Sequence, residues 1–271
     1  MNLRENEMAR RSGGLAPWRF WCLLLVLWGV LEAAGFRVEM ADRTQTVFLN
    51  DNTTIICKIP GSPALDISTV GVVWSVKRKG SEEKVLLFEY YGDHKKAYRP
   101  GANISQEKLK NGDASLYLPA VQLSDAGEYF CKVVVTPEKD EKSVQLEVVA
   151  TPTSKIFLDQ APENSRQCAR IVCKCSGFYP DSVNITWEIC LQKAAQPLPI
   201  SEGIFTGPHV QNGDGTFNVT SYLTLKSPLE DAGAMYQCVV SHVSLCTTQR
   251  LNLTLSGTGK PLSGRVPYSM T

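Results

Sequence analysis

The stretch that decides the fold is Asp125-Ala126-Gly127-Glu128-Tyr129-Phe130-Cys131, because a shortened copy of it returns near the end of the chain. In the copy, Asp231 and Gly233 are followed by Tyr236 and Cys238, so the tyrosine again stands two residues before the cysteine. A cysteine and a tryptophan precede each version in the same order. They are Cys57 and Trp74 in the first half, and Cys173 and Trp187 in the second. One such spacing can arise by chance, whereas two in consecutive halves indicate a repeated domain.

The segments around these residues are typical of an all-β chain. Short stretches rich in Val, Ile, Leu, Tyr and Thr alternate with turn formers, and no long stretch has the apolar period of a helix. The predicted strands are Thr53–Ile59, Val72–Lys77, Lys84–Tyr91, Ala114–Pro119, Glu128–Thr136 and Ser143–Val149, then Ala169–Cys175, Val183–Glu188, Phe217–Leu225, Met235–His242 and Gln249–Leu255. Between the halves, residues 150–154 contain a proline and no apolar pattern, which predicts a short linker.

The repeated residues resemble the signature of immunoglobulin domains. In that family, two cysteines join the sheets of a sandwich, the tryptophan packs on the disulfide, and the tyrosine forms a corner beside the second cysteine. The resemblance therefore implies the disulfides Cys57–Cys131 and Cys173–Cys238. The fold class that it implies is all-β, with two tandem immunoglobulin β-sandwiches.

The two sandwiches are expected to differ in type. The chain between Trp74 and Asp125 is long enough for the added strands of a variable-type domain, while Ser176-Gly177-Phe178-Tyr179-Pro180 and Tyr236-x-Cys238-x-Val240-x-His242 resemble the constant-type signature. This order of domains resembles the co-stimulatory ligand family, which includes the butyrophilins. The expected organisation is a signal peptide over residues 1–35, a variable-type domain over 36–150, a constant-type domain over 151–256 and a short flexible tail over 257–271.

Within this family, several longer runs resemble ligands of an activating receptor on natural killer cells. The runs are Phe88–His94, Gly112–Leu116, Val133–Pro137, Gly215–Ser221 and Tyr236–Val240. The resemblance implies that the receptor is bound by the front sheet of the variable-type domain and by three loops, expected at residues 69–71, 91–93 and 136–139. The candidate receptor-binding residues are Thr69, Gly71, Tyr91, Gly92, Asp93, Thr136, Pro137, Glu138 and Lys139. Glu138 departs from the family member that the chain resembles, in which this position is apolar, and the resemblance implies that its charge weakens or retunes recognition.

These residues have two interpretations, one as contacts to a receptor and one as parts of the sheet alone. Tyrosine offers a large contact area for few torsions, and proline lowers the cost of ordering a loop on binding. Alternatively, Tyr91 packs only on its own sheet, and Thr136-Pro137 does no more than close a hairpin. Two other functions also stay open, namely a co-stimulatory or inhibitory ligand of a T-cell receptor of the same family, and an adhesion-type immunoglobulin protein.

Composition argues against other function classes. The chain has 28 basic and 27 acidic residues, so no net field favours nucleic acid or an anionic membrane as a partner. The three histidines, His94, His209 and His242, lie in no catalytic or metal-binding motif. We therefore expect no enzyme activity, no cofactor, no metal and no small-molecule substrate.

The N-terminus and the sequons indicate export. Arginines precede the apolar run Phe20–Leu31, and Ala33-Ala34-Gly35 supplies small side chains, which predicts cleavage after Gly35. Whether Met1 or Met8 initiates stays open. Five Asn-x-Ser/Thr sequons predict glycosylation at Asn52, Asn103, Asn184, Asn218 and Asn252. After residue 256 no apolar run follows, so the sequence predicts a secreted protein, whereas anchored family members sit on the outer face of the plasma membrane.

Cysteine is abundant beyond the two core bridges. Of nine cysteines, Cys22 leaves with the signal peptide, and Cys168, Cys175, Cys190 and Cys246 have no assigned partner. Four cysteines can pair in three ways. Local disulfides are one expectation, and a covalent dimer through Cys190 or Cys246 is the other. Strand periodicity predicts that Cys175 faces inward and that Cys190 faces outward.

Overall fold

A computed structural model describes residues 37–61, 64–92, 94–159, 169–191, 196–225 and 233–255. The predicted signal peptide and tail, together with Asp93, Cys168 and Asp231, lie outside these residues. Apart from a helix α1 (Gln106–Lys110) and a 3₁₀ helix (Leu123–Asp125), the regular structure described is strand, which confirms the all-β prediction. None of the helices in these ranges is long and apolar enough to cross a membrane.

The first sandwich is built on a six-stranded sheet, which we call the front sheet. Its strand order is β2-β10-β9-β5-β6-β7, with β2 parallel to β10 and the other neighbours antiparallel. The pairs β1–β4 and β3–β8 form the back layer. The strands are β1 (Glu39–Met40), β2 (Thr44–Phe48), β3 (Thr53–Ile55), β4 (Cys57–Lys58), β5 (Val70–Arg78), β6 (Lys84–Tyr91), β7 (His94–Ala97), β8 (Leu116–Leu118), β9 (Gly127–Val135) and β10 (Glu138–Val149).

Alternation along β9 places the core of this sandwich. Tyr129, Cys131 and Val133 are buried, whereas the residues between them are only partly buried because they face the other side of the sheet. Cys131 is bonded to Cys57 of the back layer, as the resemblance implied. Fully buried Trp74 lies opposite Cys131 on β5, and its indole N–H donates to the carbonyl of Ala114 at 3.0 Å.

The second sandwich consists of a five-stranded and a four-stranded sheet. In the five-stranded sheet the order is β11-β12-β17-β15, and β16 also pairs with β17. In the four-stranded sheet the order is β14-β13-β18-β19. The strands are β11 (Thr153–Asp159), β12 (Arg170–Phe178), β13 (Asn184–Cys190), β14 (Leu198–Ile200), β15 (Ile204–Thr206), β16 (Val210–Gln211), β17 (Phe217–Thr224), β18 (Met235–Ser241) and β19 (Gln249–Thr254).

The core of the second sandwich repeats the plan of the first. A disulfide joins Cys173 to Cys238, and Trp187 lies opposite Cys238 with 1% of its surface exposed. His242 is buried, and its ring nitrogens lie 2.7 Å from the hydroxyl of Ser244 and 3.0 Å from the carbonyl of Pro180. These contacts give His242 a structural role.

The predicted linker is shorter than its sequence suggests. Strand β10 ends at Val149 and β11 begins at Thr153, because Thr153 and Ser154 already pair with β12. Ala150 is not free either, since its N–H donates to the carbonyl of Tyr179 at 2.9 Å and its carbonyl accepts from the Tyr179 N–H at 3.1 Å. The pattern of polar residues and proline does not reveal these backbone pairings.

Candidate binding face on the front sheet

The register of the front sheet fixes which side chains point away from the core. Gly71 on β5 lies opposite Tyr91 on β6 and Val134 on β9. Two residues further along, Val73 lies opposite Glu89 and Lys132. Because the alternate residues of the same strands fill the core, these side chains lie on the outer face. The structure therefore brings the predicted residues Gly71 and Tyr91 together on one surface.

Tyr91 is both packed and exposed. A Cβ atom added to Gly71 would lie 2.9 Å from Cδ1 and from Cε1 of the Tyr91 ring, so the ring occupies the space that a side chain at residue 71 would need. The tyrosine nevertheless keeps 47% of its surface exposed. Partial burial, together with the nearby charge of Glu89, raises the pKa of its hydroxyl. Tyr91 thus packs on its own sheet and also presents a ring to solvent, and its contact with a receptor stays a prediction.

Charged side chains on the rest of the face are held by their neighbours. The Lys84 ammonium lies 3.5 Å from the centroid of the Phe130 ring and 2.5 Å from a carboxylate oxygen of Glu141. The Tyr98 hydroxyl donates to Glu89 at 2.7 Å. These contacts span neighbouring strands and fix the lateral position of the charges. At the other end of the face, Gly71, Tyr91 and Val134 lie together, with Lys139 opposite Val134 and His94 opposite Tyr91.

The hairpin between β9 and β10 is shorter than the sequence predicts. Its loop is only Thr136-Pro137, joined by a cis peptide bond, and both residues are exposed. Glu138 pairs with Val135, and Lys139 pairs with Val134. The predicted placement in loops is therefore wrong for Gly71, Tyr91, Glu138 and Lys139, which are strand residues. Pairing continues to the tip because a two-residue connection is enough to join antiparallel strands.

The segments before β5 and after β6 are ordered by local contacts. Asp66 accepts hydrogen bonds from the hydroxyl and the N–H of Ser68, at 2.7 and 3.0 Å, and these bonds lower the pKa of its carboxyl. The Thr69 hydroxyl donates to the Asp66 carbonyl at 2.9 Å. Gly92 has φ of +59°, and a Cβ there would lie 3.3 Å from the Ser68 carbonyl oxygen. Thr69 and Gly92 thus lie in neighbouring turns at the Tyr91 end of the face, while the predicted Asp93 lies outside the described residues.

The sequons of the first sandwich leave this face clear. Asn52 precedes β3 in the back layer, and its side-chain oxygen accepts from the Ala120 N–H at 2.9 Å. Asn103 forms an isolated bridge with Tyr117 of β8, which is also in the back layer. Both asparagines are exposed. Glycans attached to them would extend from the side opposite to the front sheet.

Among the described residues, the extra cysteines do not form the local disulfides that were one expectation. Cys175 is buried, Cys190 is half-buried and Cys246 is exposed, and all three are unpaired. Cys190 lies opposite Met235 at the start of β18, whereas Cys246 follows the end of that strand, so the length of β18 separates them. A disulfide requires Cα atoms closer than about 7 Å. Burial confirms the inward orientation of Cys175 and raises the pKa of its thiol, while Cys168 lies outside the described residues.

Comparisons with known proteins agree with this architecture. Residues 41–149 match the immunoglobulin V-set domain, and residues 155–245 match the immunoglobulin C1-set domain. The chain is 50% identical to human natural cytotoxicity triggering receptor 3 ligand 1 over 89% of this chain and 53% of that protein. It is 30% identical to mouse tapasin-related protein over 78% of this chain and 44% of that protein. The chain thus spans about half the length of these relatives.

Solved structures show the same fold. Bovine butyrophilin superposes with a TM-score of 0.60 at 16% sequence identity, covering 82% of this chain and 99% of the butyrophilin chain. The extracellular portion of mouse CD200RLa superposes with a TM-score of 0.55 at 21% identity, covering 80% of this chain and all of that one, 100%. At such identities the likeness concerns the fold alone.

Proposed function

The chain belongs to the immunoglobulin superfamily, with a V-set domain followed by a C1-set domain, and from this membership we propose that it is an extracellular ligand of an activating receptor on natural killer cells. Proteins of this kind bind other proteins, and the chain is not an enzyme. Its similarity to a human ligand of natural cytotoxicity triggering receptor 3 supports the choice of receptor. The proposal includes export by a signal peptide over residues 1–35 and glycans on the predicted sequons.

We assign receptor binding to the outer face of the front sheet at its Tyr91 end. The observation that carries this assignment is the Tyr91 ring, which is 47% exposed and yet held against the bare backbone of Gly71. A side chain that is already ordered loses little conformational freedom on binding, so more of its contact energy appears as affinity. Tyrosine is also enriched among the residues that dominate protein interfaces.

The neighbouring residues extend this anchor into a surface. Val134 continues the apolar area across β9, and the exposed pair Thr136-Pro137 forms the rim at the tip of the next hairpin. Glu138 and Lys139 add one charge of each sign beside that rim. An aromatic centre with a polar rim is the usual arrangement of an interface hot spot. The clear space left by Asn52 and Asn103 supports the same face.

Surface plasmon resonance with immobilised natural cytotoxicity triggering receptor 3 tests both parts of the proposal. We expect the secreted chain to bind, and Tyr91→Ala to weaken binding by about tenfold or more, since loss of a hot-spot aromatic costs at least ~1.4 kcal/mol. Tyr117→Ala is the matched control, because Tyr117 is 41% exposed but lies on β8 in the back layer. If the parent chain does not bind, the receptor assignment is wrong.

A second variant tests whether the position of the ring matters. Gly71→Ala keeps Tyr91 but places a methyl group where two atoms of its ring now lie. We expect weaker binding than in the parent, by about 3- to 10-fold, because the ring must leave its platform and be ordered again on binding. Circular dichroism checks that the sheet is intact. If the receptor binds the parent and both the Tyr91 and Gly71 variants equally well, the receptor assignment stands and the surface assignment fails.

A further inference from the structure

The five-stranded sheet of the second sandwich carries a row of apolar side chains on its outer face. Phe157 on β11, Val172 on β12, Tyr222 on β17 and Phe205 on β15 lie directly opposite one another in register. Their neighbours along the chain, such as Ile156, Ile171 and Leu223, belong to the core or pack against it. Because side chains alternate between the faces of a sheet, the four residues of the row point away from the core.

The end residues of this aromatic row are exposed, whereas Val172 within it is buried. Phe205 is 65% exposed and Phe157 is 45% exposed. The Phe205 and Tyr222 rings have centroids 6.2 Å apart. Val172 is only 3% exposed although it is no member of the core cluster, so its neighbours on the same face cover it. The row is thus a continuous apolar strip across four strands, of the kind that marks an interaction surface.

The charged residues beside the row come from β11 and β12, although the Arg170 guanidinium reaches toward β17, 5.5 Å from the centroid of the Tyr222 ring. On β11 and β12, Lys155 is opposite Lys174 on one side of the row, and Asp159 is opposite Arg170 on the other side. The other half carries no charge at the matching positions described. There, Thr220 stands beside Gly207 on one side of the row, and Thr224 stands beside Gly203 on the other. The face therefore has a charged half and a half with small neutral residues.

We propose that two copies of this chain dimerise through the aromatic row, about a two-fold axis parallel to the strands. In this arrangement β11 of one copy faces β15 of the other, and β12 faces β17. Phe157 then covers Phe205 of the second copy, and Val172 covers Tyr222 of the second copy. The charged half faces the neutral half, whose glycines leave room for long side chains. Such self-complementarity is what a two-fold interface requires.

The alternative two-fold axis fits less well. An axis perpendicular to the strands would place Lys155 over Asp159 of the second copy, but it would also place Lys174 over Arg170, and like charges across an interface oppose association. It would also place Phe157 over Phe157 and Phe205 over Phe205 of the second copy, so that large side chains would meet large side chains. With the axis parallel to the strands, no like charges of the face meet. Both copies then run in the same direction.

Two of the three predicted glycans of the second sandwich leave this face open, and the third lies at its end. Asn184 and Asn252 are exposed on the outer side of the four-stranded sheet, because Trp187 and Leu251 on the same strands face the core. Asn218 lies on β17 between Ser176 of β12 and Val210 of β16, four residues from Tyr222 and on the same side of the sheet, and its amide is hydrogen-bonded. Its oxygen accepts from the Gly177 N–H at 3.1 Å, and its nitrogen donates to Asn212 at 2.5 Å. A glycan on Asn218 would leave its oxygen and one N–H for these bonds, and it would stand at the end of the face, about 13 Å from Tyr222 along the strand.

The size of the face predicts a weak dimer. Four strands about 4.8 Å apart and about 20 Å long cover roughly 400 Å² of sheet. A stable interface buries about 800 Å² on each partner. We therefore expect a dissociation constant in the micromolar range, with monomer below about 1 μM and dimer prevailing near 100 μM.

Sedimentation velocity over 0.5–200 μM tests the dimer directly. A Cys190→Ser/Cys246→Ser background removes covalent dimers through those thiols, and a single band on a non-reducing gel confirms it. We expect reversible dimerisation in this background and at least tenfold weaker association for Phe205→Glu. The matched control is Leu198→Glu, because Leu198 is 46% exposed on β14 of the other sheet. A monomer at every concentration, or equal effects of the two substitutions, would overturn the proposal.

Engineered cross-links test the axis in the same background. With the axis parallel to the strands, Phe157 faces Phe205 of the second copy, so the double variant Phe157→Cys/Phe205→Cys forms a covalent dimer on mild oxidation. Neither single variant does so efficiently. With the perpendicular axis each residue would face itself, and each single variant would cross-link. Cross-linking of the single variants would therefore contradict the proposed arrangement.

Discussion

The two sandwiches bury the same tryptophan beside the same kind of disulfide, yet they satisfy its indole N–H in different ways. In the first, Trp74 donates to a backbone carbonyl, that of Ala114, at 3.0 Å. In the second, Trp187 donates to the hydroxyl of Ser221 at 3.0 Å. A backbone acceptor survives most substitutions, whereas a side-chain acceptor does not. The hydrogen bond of the indole N–H therefore depends on the identity of one side chain in the second sandwich, whereas in the first it depends only on the position of the backbone.

A second difference is the buried charge of the first sandwich. Asp125 is 3% exposed and accepts from the Arg99 guanidinium at 3.0 and 2.8 Å and from the Gln122 N–H at 2.9 Å. The Tyr129 hydroxyl donates to the Asp125 carbonyl at 2.7 Å, which forms the corner that the resemblance implied. Among the described residues of the second sandwich, no carboxylate is buried in this way. The two sandwiches thus share a fold but differ in the buried groups whose loss would destabilise them.

Loss of the disulfides should produce the largest effect, and an equal one in the two sandwiches. The cross-links close loops of 74 and 65 residues. Chain entropy then predicts a loss of about 4 kcal/mol for Cys57→Ala/Cys131→Ala and for Cys173→Ala/Cys238→Ala. Guanidinium unfolding, followed by the fluorescence of Trp74 and Trp187, measures both. A difference above about 1 kcal/mol would show that packing around the bridge, and not loop length, separates the two.

Removal of the buried carboxylate should affect only the first sandwich. Asp125→Ala leaves Arg99, whose side chain is 17% exposed, without its partner. We expect a loss of about 3 kcal/mol in the free energy of unfolding of the first sandwich, since breaking a buried ion pair strands the remaining charge. The second unfolding transition should not move. Ser124→Ala, at the exposed neighbouring residue, is the control, and an equal loss in both transitions would show that the sandwiches unfold together.

Low pH should also destabilise the first sandwich more than the second. Burial opposes ionisation of Asp125, but the hydrogen bonds from Arg99 and Gln122 outweigh it and hold the pKa of the carboxyl below its usual value. The unfolded chain therefore takes up this proton first, near pH 4, and the stability that the pair contributes is present above that pH and is lost as the pH falls further. Stability curves between pH 5 and 2 should be steeper for the parent than for Asp125→Ala. Parallel curves would contradict this account.

Much of the fold is predictable because its strands carry local patterns. The predicted strand Lys84–Tyr91 coincides with β6, and Val72–Lys77 lies within β5. Two strands of the front sheet carry no such pattern. β2 buries only Val47 and is held by parallel pairing to the distant β10. β7 is an exposed edge strand of His94, Lys95, Lys96 and Ala97, and its charges protect the edge of the sheet instead of filling a core.

A candidate site could be predicted from the sequence only where a single residue defines it. The sequence identifies Tyr91 as a candidate contact residue, but the packing of its ring against Gly71 depends on strand register. The aromatic row is hidden for the same reason. Its outer members, Phe157 and Phe205, come from strands far apart in the chain, and only the pairing of β11, β12, β17 and β15 brings them into line. No local periodicity contains that information.

The substitution with the smallest expected effect tests the comparison between the two buried tryptophans. Ser221→Ala removes the acceptor of the Trp187 indole N–H from a site with no exposed surface, and an unsatisfied buried donor costs about 2 kcal/mol. The second unfolding transition should therefore move to lower denaturant while the first stays in place. Thr206→Val is the control, because it removes only the hydroxyl that lies 2.9 Å from Ser221 on its more exposed side. If Ser221→Ala costs nothing, the indole has found another acceptor, and the two sandwiches differ in geometry without differing in robustness.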